Sequence, residues 1–127
     1  MTAANPAASG WIPAKQFIAG EWREGRSHKA SPDTNPYTGE ELLTLQLASS
    51  EDLDDAYRSA QEAQPDWAAT PPAERRRILE RAADILEERR DEIAAWLAAE
   101  SGSTAVKAAI EIDSATAITR ESASFPH

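Results

Sequence analysis

Residues 35–48 read NPYTGEELLTLQLA, and residues 49–60 read SSEDLDDAYRSA. The first stretch predicts a tight turn running into a strand. Pro36 fixes φ for the turn, and Gly39 accepts backbone angles that other residues avoid. Leu43, Leu45 and Leu47 then alternate with Thr44, Gln46 and Ala48, the period of a strand with one apolar face. The second stretch predicts a helix. Ser49 is placed to cap it, with Asp52 at the third helical position and Ala48 and Leu53 as a weak staple. Glu51, Asp52, Asp54 and Asp55 suit the positive end of the helix dipole. Leu53, Ala56, Tyr57 and Ala60 share one face, and Pro65 is expected to stop the helix.

Towards the N-terminus, residues 1–14 are mostly Ala, Pro, Ser and Asn, the composition of a flexible arm. KQFIAGEWREG, residues 15–25, predicts a short hairpin about Ala19-Gly20. Its turn type is open, because Ala resists the positive φ of a type I′ turn. GRSHKASPDT, residues 25–34, is polar and expected to be irregular. Towards the C-terminus, Thr70 is placed as a cap and Pro71 as a first helical residue. Ile78, Leu79, Ala82, Ile85, Leu86, Ile93, Trp96 and Leu97 keep helical spacing up to Gly102, a natural stop. That predicts one helix of about 30 residues and about 45 Å. A further helix over 104–123 carries Val106, Ala109, Ile110, Ala117 and Ile118, and Pro126 ends it. No internal repeat is present. On the residues alone the class is α+β, or part of a larger α/β protein.

The bulk composition points to a weak core. Apolar residues make up 41% of the 127, yet 26 of them are alanine, and only 19 residues are Leu, Ile, Val or Phe. Alanine favours helix but brings little area to bury, so good local structure is expected to lean on something else. The net charge of −9 disfavours nucleic acid, whose phosphates would repel the chain. There is no cysteine, hence no disulfide, thiolate metal site or thiol nucleophile in this sequence. No apolar run approaches the roughly 18 residues of a membrane span. The N-terminus lacks the basic start and apolar stretch of a signal peptide, so a cytoplasmic setting and no membrane partner are expected. Ten arginines stand against three lysines, which fits either a salty cytoplasm or GC-rich coding.

Few residues are candidates for chemistry. Arg75, Arg76 and Arg77 are a possible phosphate site, but Glu74, Glu80, Glu87 and Glu88 share their helix. Pairs such as Arg76–Glu80, Glu74–Arg77 and Arg81–Asp84 make a solvated, salt-bridged face the better reading. His28 stands in a polar loop with no second ligand nearby and reads as a solvated histidine. The carboxylates lie mostly on polar helix faces, so all are expected to be solvated and none to have a shifted pKa. Trp22, Trp67 and Trp96 read as packing anchors rather than a stacking platform. No glycine-rich phosphate loop and no nucleophile elbow is present. No catalytic, cofactor-binding or metal residue is therefore assigned.

The ordered set FIAGEW, NPYTGEEL, SSEDLDDAYRSAQEAQPDW and ERRRILERAADILEERRDEIAAWLAAESG resembles the N-terminal portion of NAD(P)-dependent aldehyde dehydrogenases, from about Phe17 to the end. ESGST with Lys107 following, and AITRESASFPH, are more like the aromatic-aldehyde branch, such as benzaldehyde or vanillin dehydrogenases. The hairpin departs from the family's frequent Asn-Gly turn by carrying Ala19-Gly20. The resemblance implies an α+β fragment of a larger α/β protein: an N-terminal hairpin and strand followed by three helices. It divides the chain into a flexible arm (1–14), a hairpin and strand segment (15–48) and an incomplete helical segment of the cofactor-binding domain (49–127). It implies the family reaction, oxidation of an aldehyde to a carboxylic acid through a cysteine thiohemiacetal, hydride transfer to NAD or NADP, and thioester hydrolysis. The family's cysteine, glutamate, asparagine and cofactor loop belong to regions that this sequence does not match. The chain is thus expected to be inactive alone and to bind no cofactor by itself. Phe125 falls where the family approaches its aldehyde entrance. Expected partners are the missing C-terminal portion or a full-length dehydrogenase subunit, within a homo-oligomer. Such a chain would be a truncated product or one half of a split or frameshifted gene. An alternative is a non-catalytic module that pairs with a full-length dehydrogenase; another is an unrelated acidic helical domain.

Overall fold

A computed structural model describes residues 14–125. The arm expected over 1–14 lies outside these residues save for Ala14, as does Pro126. The described residues form two compact units, divided between Ala68 and Ala69.

The first unit opens with the expected hairpin, β1 (Gln16–Ile18) antiparallel to β2 (Glu21–Arg23). Ala19 has φ 54° and Gly20 φ 83°, the two positive angles of a type I′ turn. The left-handed angle at Ala19 costs about 1–2 kcal/mol. Across the ladder Phe17 faces Trp22, ring centroids 5.0 Å apart and tilted by 55°. Such a pair contributes about 0.5–1.5 kcal/mol, enough to offset most of the turn's strain.

The stretch expected to be irregular contains a strand. β3 (Ala30–Thr34) pairs antiparallel with β4 (Glu41–Gln46), with a bulge at Asp33/Thr34. Pro32 and Asp33 hide the strand from propensity, and pairing with β4 imposes it. Pro32 is tolerated because a two-stranded sheet leaves every strand with an open edge. The connecting turn uses Gly39 at φ 72°. Asn35 organises it: its Oδ1 accepts from the Tyr37 and Thr38 amides at 2.9 and 3.2 Å, and its carbonyl accepts from Gly39 N at 2.8 Å. β4 forms as predicted, but the predicted apolar face is not the buried one: Leu42 of the other face is buried, while Leu45 and Leu47 are exposed.

The helix α1 (Ser50–Ala69) follows and runs through Pro65, against the expectation of a stop there. One proline removes one amide donor and keeps a helical φ. The good helix formers around it, Gln61 to Gln64 before and Ala68 after, carry the helix onward.

The second unit is three helices: α2 (Pro72–Glu88), α3 (Arg90–Ser101) and α4 (Ala105–Ser122). The single long rod expected over this region is broken at Arg89, whose φ −104° and ψ 17° leave the helical region. Any residue can adopt that bridge conformation, so neither Gly nor Pro marks the break. The bend lets α2 and α3 pack separately along α4. The start of α2 also differs: Pro71 is the cap residue, without a side-chain cap bond, and Pro72 takes the first helical position. Gly102, at φ 66°, ends α3 as expected, and Ser103 N donates to Leu97 O at 3.1 Å. Thr104 caps α4 by accepting from Lys107 N at 3.2 Å.

The large aliphatics that the sequence places on α4 are mostly not its packing face. Ala108, Ile112, Thr116 and Ala123 are buried, whereas Val106, Ile110 and Ile118 are not. Ala83 of α2 and Ala108 of α4 retain no accessible surface. Their small side chains let the helices approach closely, so the alanine side of α4 wins the contact over its larger aliphatics.

Gly25 sits where the two hairpins of the first unit meet. A Cβ there would lie under 3 Å from the Leu47 and Gln46 carbonyl oxygens. Gly25→Ala is expected to push the backbones apart at about 1–3 kcal/mol. The check is amide hydrogen exchange at Ser27 and Leu47, whose bonds to Leu47 O (3.1 Å) and Lys29 O (2.9 Å) should lose protection before the α4 amides do.

Candidate functional site

Two features stand out beyond the backbone ladders: a buried ionic clasp in the first unit and an apolar groove in the second.

The clasp is built on the α1 N-terminus. Ser49 Oγ accepts from Asp52 N at 3.2 Å, and Asp52 Oδ2 accepts from Ser49 N at 2.9 Å, a reciprocal capping box closed by Asp. The same carboxylate, with no exposed surface, accepts from Arg26 N at 2.8 Å, Arg26 Nε at 2.7 Å, Arg23 Nη2 at 3.3 Å and Ser49 Oγ at 3.2 Å. Asp55, one turn on, accepts from Arg26 Nη2 at 2.6 Å, Arg23 Nη2 at 3.1 Å and Arg58 Nη1 at 3.1 Å.

The expectation that every carboxylate is solvated and unshifted is thus overturned at Asp52. The Ser49 and Arg26 amides hold its carboxyl well below the usual carboxylate range, against the opposing effect of burial. The Arg23 and Arg26 guanidinium groups likewise hold Asp55 low, and Asp52 in turn pushes the Arg26 guanidinium up. Sequence reasoning missed the clasp because Arg23 and Arg26 stand 29 and 26 residues before Asp52. The helix cap and the helix dipole already account for the acidic run around Asp52 without any distant partner. A carboxylate met by five donor groups and held ionised has no proton to exchange near neutral pH. The clasp is structural, not an acid or base.

The groove lies on the second unit, with a volume of about 470 Å³. Leu86 of α2, Ile93 and Leu97 of α3, and Ile110, Ala115 and Ile118 of α4 line it. Glu111 and Ser114 are its polar lining residues, and Lys107 Nζ donates to Glu111 Oε1 at 2.6 Å.

The remaining sequence candidates are distributed as follows. His28 is exposed in the loop before β3. The arginine triplet is engaged in structure: Arg75 donates to Thr70 O at 2.8 Å, Arg76 to Ala123 O at 3.2 Å, and Arg77 to Glu74. Of the expected pairs, Glu74–Arg77 forms. Arg76 instead reaches the C-terminal end of α4, and Arg81 bonds Glu88 at 2.8 Å, leaving Asp84 to Arg120 of α4 at 3.1 Å. Of the three tryptophans read as packing anchors only Trp96 is buried; Trp22 and Trp67 are exposed, Trp22 meeting Phe17 with tilted rings. Phe125 is exposed. Among the described residues, no three His, Asp or Glu side chains gather into a metal site, and no helix is long and apolar enough to cross a membrane. The five glycines, at 10, 20, 25, 39 and 102, form no G-x-G-x-x-G run, so these residues do not fit a dinucleotide-phosphate loop.

Comparison with known proteins gives a consistent picture. Residues 22–127 match the model of the aldehyde dehydrogenase family. The chain is 52% identical over 112 residues to a vanillin dehydrogenase of Corynebacterium glutamicum, covering 88% of this chain and 23% of that protein. It is 42% identical over 112 residues to a benzaldehyde dehydrogenase of Bacillus subtilis, again covering 88% of this chain and 23% of the relative. The solved structure of an NAD-dependent benzaldehyde dehydrogenase from Corynebacterium glutamicum superimposes with a TM-score of 0.89 at 51% identity, covering 91% of this chain and 26% of that one. The chain thus spans about a quarter of the length of these relatives.

The clasp sets a pH dependence. Asp52 and Asp55 have lowered pKa values in the fold. Their stabilisation is present above the unfolded carboxylate value of about 3.9 and is lost as pH falls below it. Asp52→Asn is therefore expected to lower the urea midpoint of the first unit at neutral pH, with its deficit against the parent chain shrinking as pH drops below about 4. A deficit that stays constant down to acid pH, read by far-UV circular dichroism in urea, would refute the assignment.

Proposed function

This chain belongs to the aldehyde dehydrogenase family, and we propose that it serves as the N-terminal scaffold of an NAD(P)-dependent enzyme that oxidises aromatic aldehydes to carboxylic acids. The observation that carries the aromatic-aldehyde reading is the 52% identity to a vanillin dehydrogenase. The sequence holds no cysteine, so the thiol that attacks the aldehyde must come from another part of the enzyme. Nor do its glycines fit a dinucleotide loop, so no step through the nicotinamide is assigned to these residues. Their part is to fold into two faces on which a catalytic body rests. Exposed Leu45, Leu47, Leu53 and Tyr57 in the first unit, and Ile110 and Ile118 in the second, support that reading, since they are large apolar side chains left available for contact. The working enzyme is proposed to be a cytoplasmic homo-oligomer.

The test is a chimera in which this chain replaces the matching segment of the Corynebacterium glutamicum vanillin dehydrogenase. The chimera is expected to reduce NAD with vanillin as substrate, while the 127-residue chain alone produces no NADH. A folded but inactive chimera, or NADH formation by the isolated chain, overturns the proposal.

A further inference from the structure

We draw no further inference here: the strongest candidate, the groove between the Ala19-Gly20 turn and the middle of α1, lined by Ser59, Ala60, Glu62 and Ala63, presents mostly small side chains, and nothing in the structure shows what covers it.

Discussion

The buried carboxylate of Asp52 makes one object of pieces that have little reason to stay together. β1 and β2 are three residues each, and an isolated two-stranded hairpin is marginal in water. The loop after them is polar, and α1 buries one residue along its whole length, Asp52 itself. What joins them is a charge with five donor groups, two from the helix start and the rest from Arg23 and Arg26. Such a group is stable in the interior only while every donor stays in place, because an ionised carboxylate without partners is far costlier to bury than an apolar side chain. The clasp therefore fixes geometry more than it adds stability. It dictates where the hairpin stands on the α1 N-terminus, and Gly25 permits the backbone approach that this position requires.

The second unit reaches the same end by the opposite means. Its contacts rest largely on alanines, Ala83 of α2, Ala108 of α4 and Ala123 at the end of α4, with Ile112 and Trp96 the larger buried groups. Alanine gives close helix approach but little transferred area. The polar ties between helices are mostly at the margins: Arg76 to Ala123 O, Arg120 to Asp84 and Arg90 to Asp113. Exposed pairs of this kind contribute about 0–1 kcal/mol each, so they set the register of α4 against α2 and α3 more than they hold it. Ile78 and Ile85 of α2 and Val106, Ile110 and Ile118 of α4 remain on the outside of this arrangement.

The parts legible in the sequence were those decided within a few residues. The Ser49–Asp52 cap, the turn at Gly39, the hairpin about Ala19-Gly20 and the stop at Gly102 each depend on local chemistry, and each is present. The parts that stayed hidden depend on partners far along the chain. β3 becomes a strand because β4 pairs with Ser31 and Asp33, not because ASPDT favours extension. The break at Arg89 answers to the packing of α4. On α4, periodicity reports where large aliphatics recur, but tertiary contact decides which side packs: Ala108, Ile112 and Thr116 are covered, and Val106, Ile110 and Ile118 are not. The clasp shows the same limit for charge, since no spacing rule links Arg23 to Asp52.

These two kinds of hidden feature differ in what they say about function. Long-range polar contacts in this chain are consumed: Arg23, Arg26, Asp52, Asp55, Arg76, Arg81, Asp84, Arg90, Asp113 and Arg120 all have partners. Charge committed to ion pairs is poorly suited to moving protons. Long-range apolar contacts are left open, at Leu45 and Leu47 on one unit and at Ile110 and Ile118 on the other. The long-range ion pairs are closed within the chain, although Arg23 Nε, Trp96 Nε1 and Thr116 Oγ1 are buried without a hydrogen-bond partner, while much aliphatic surface is left uncovered. That asymmetry is what a supporting segment requires. On the scaffold reading proposed above, internal ion pairs set the shape of the segment before it meets a catalytic body, and uncovered leucine and isoleucine supply the contact.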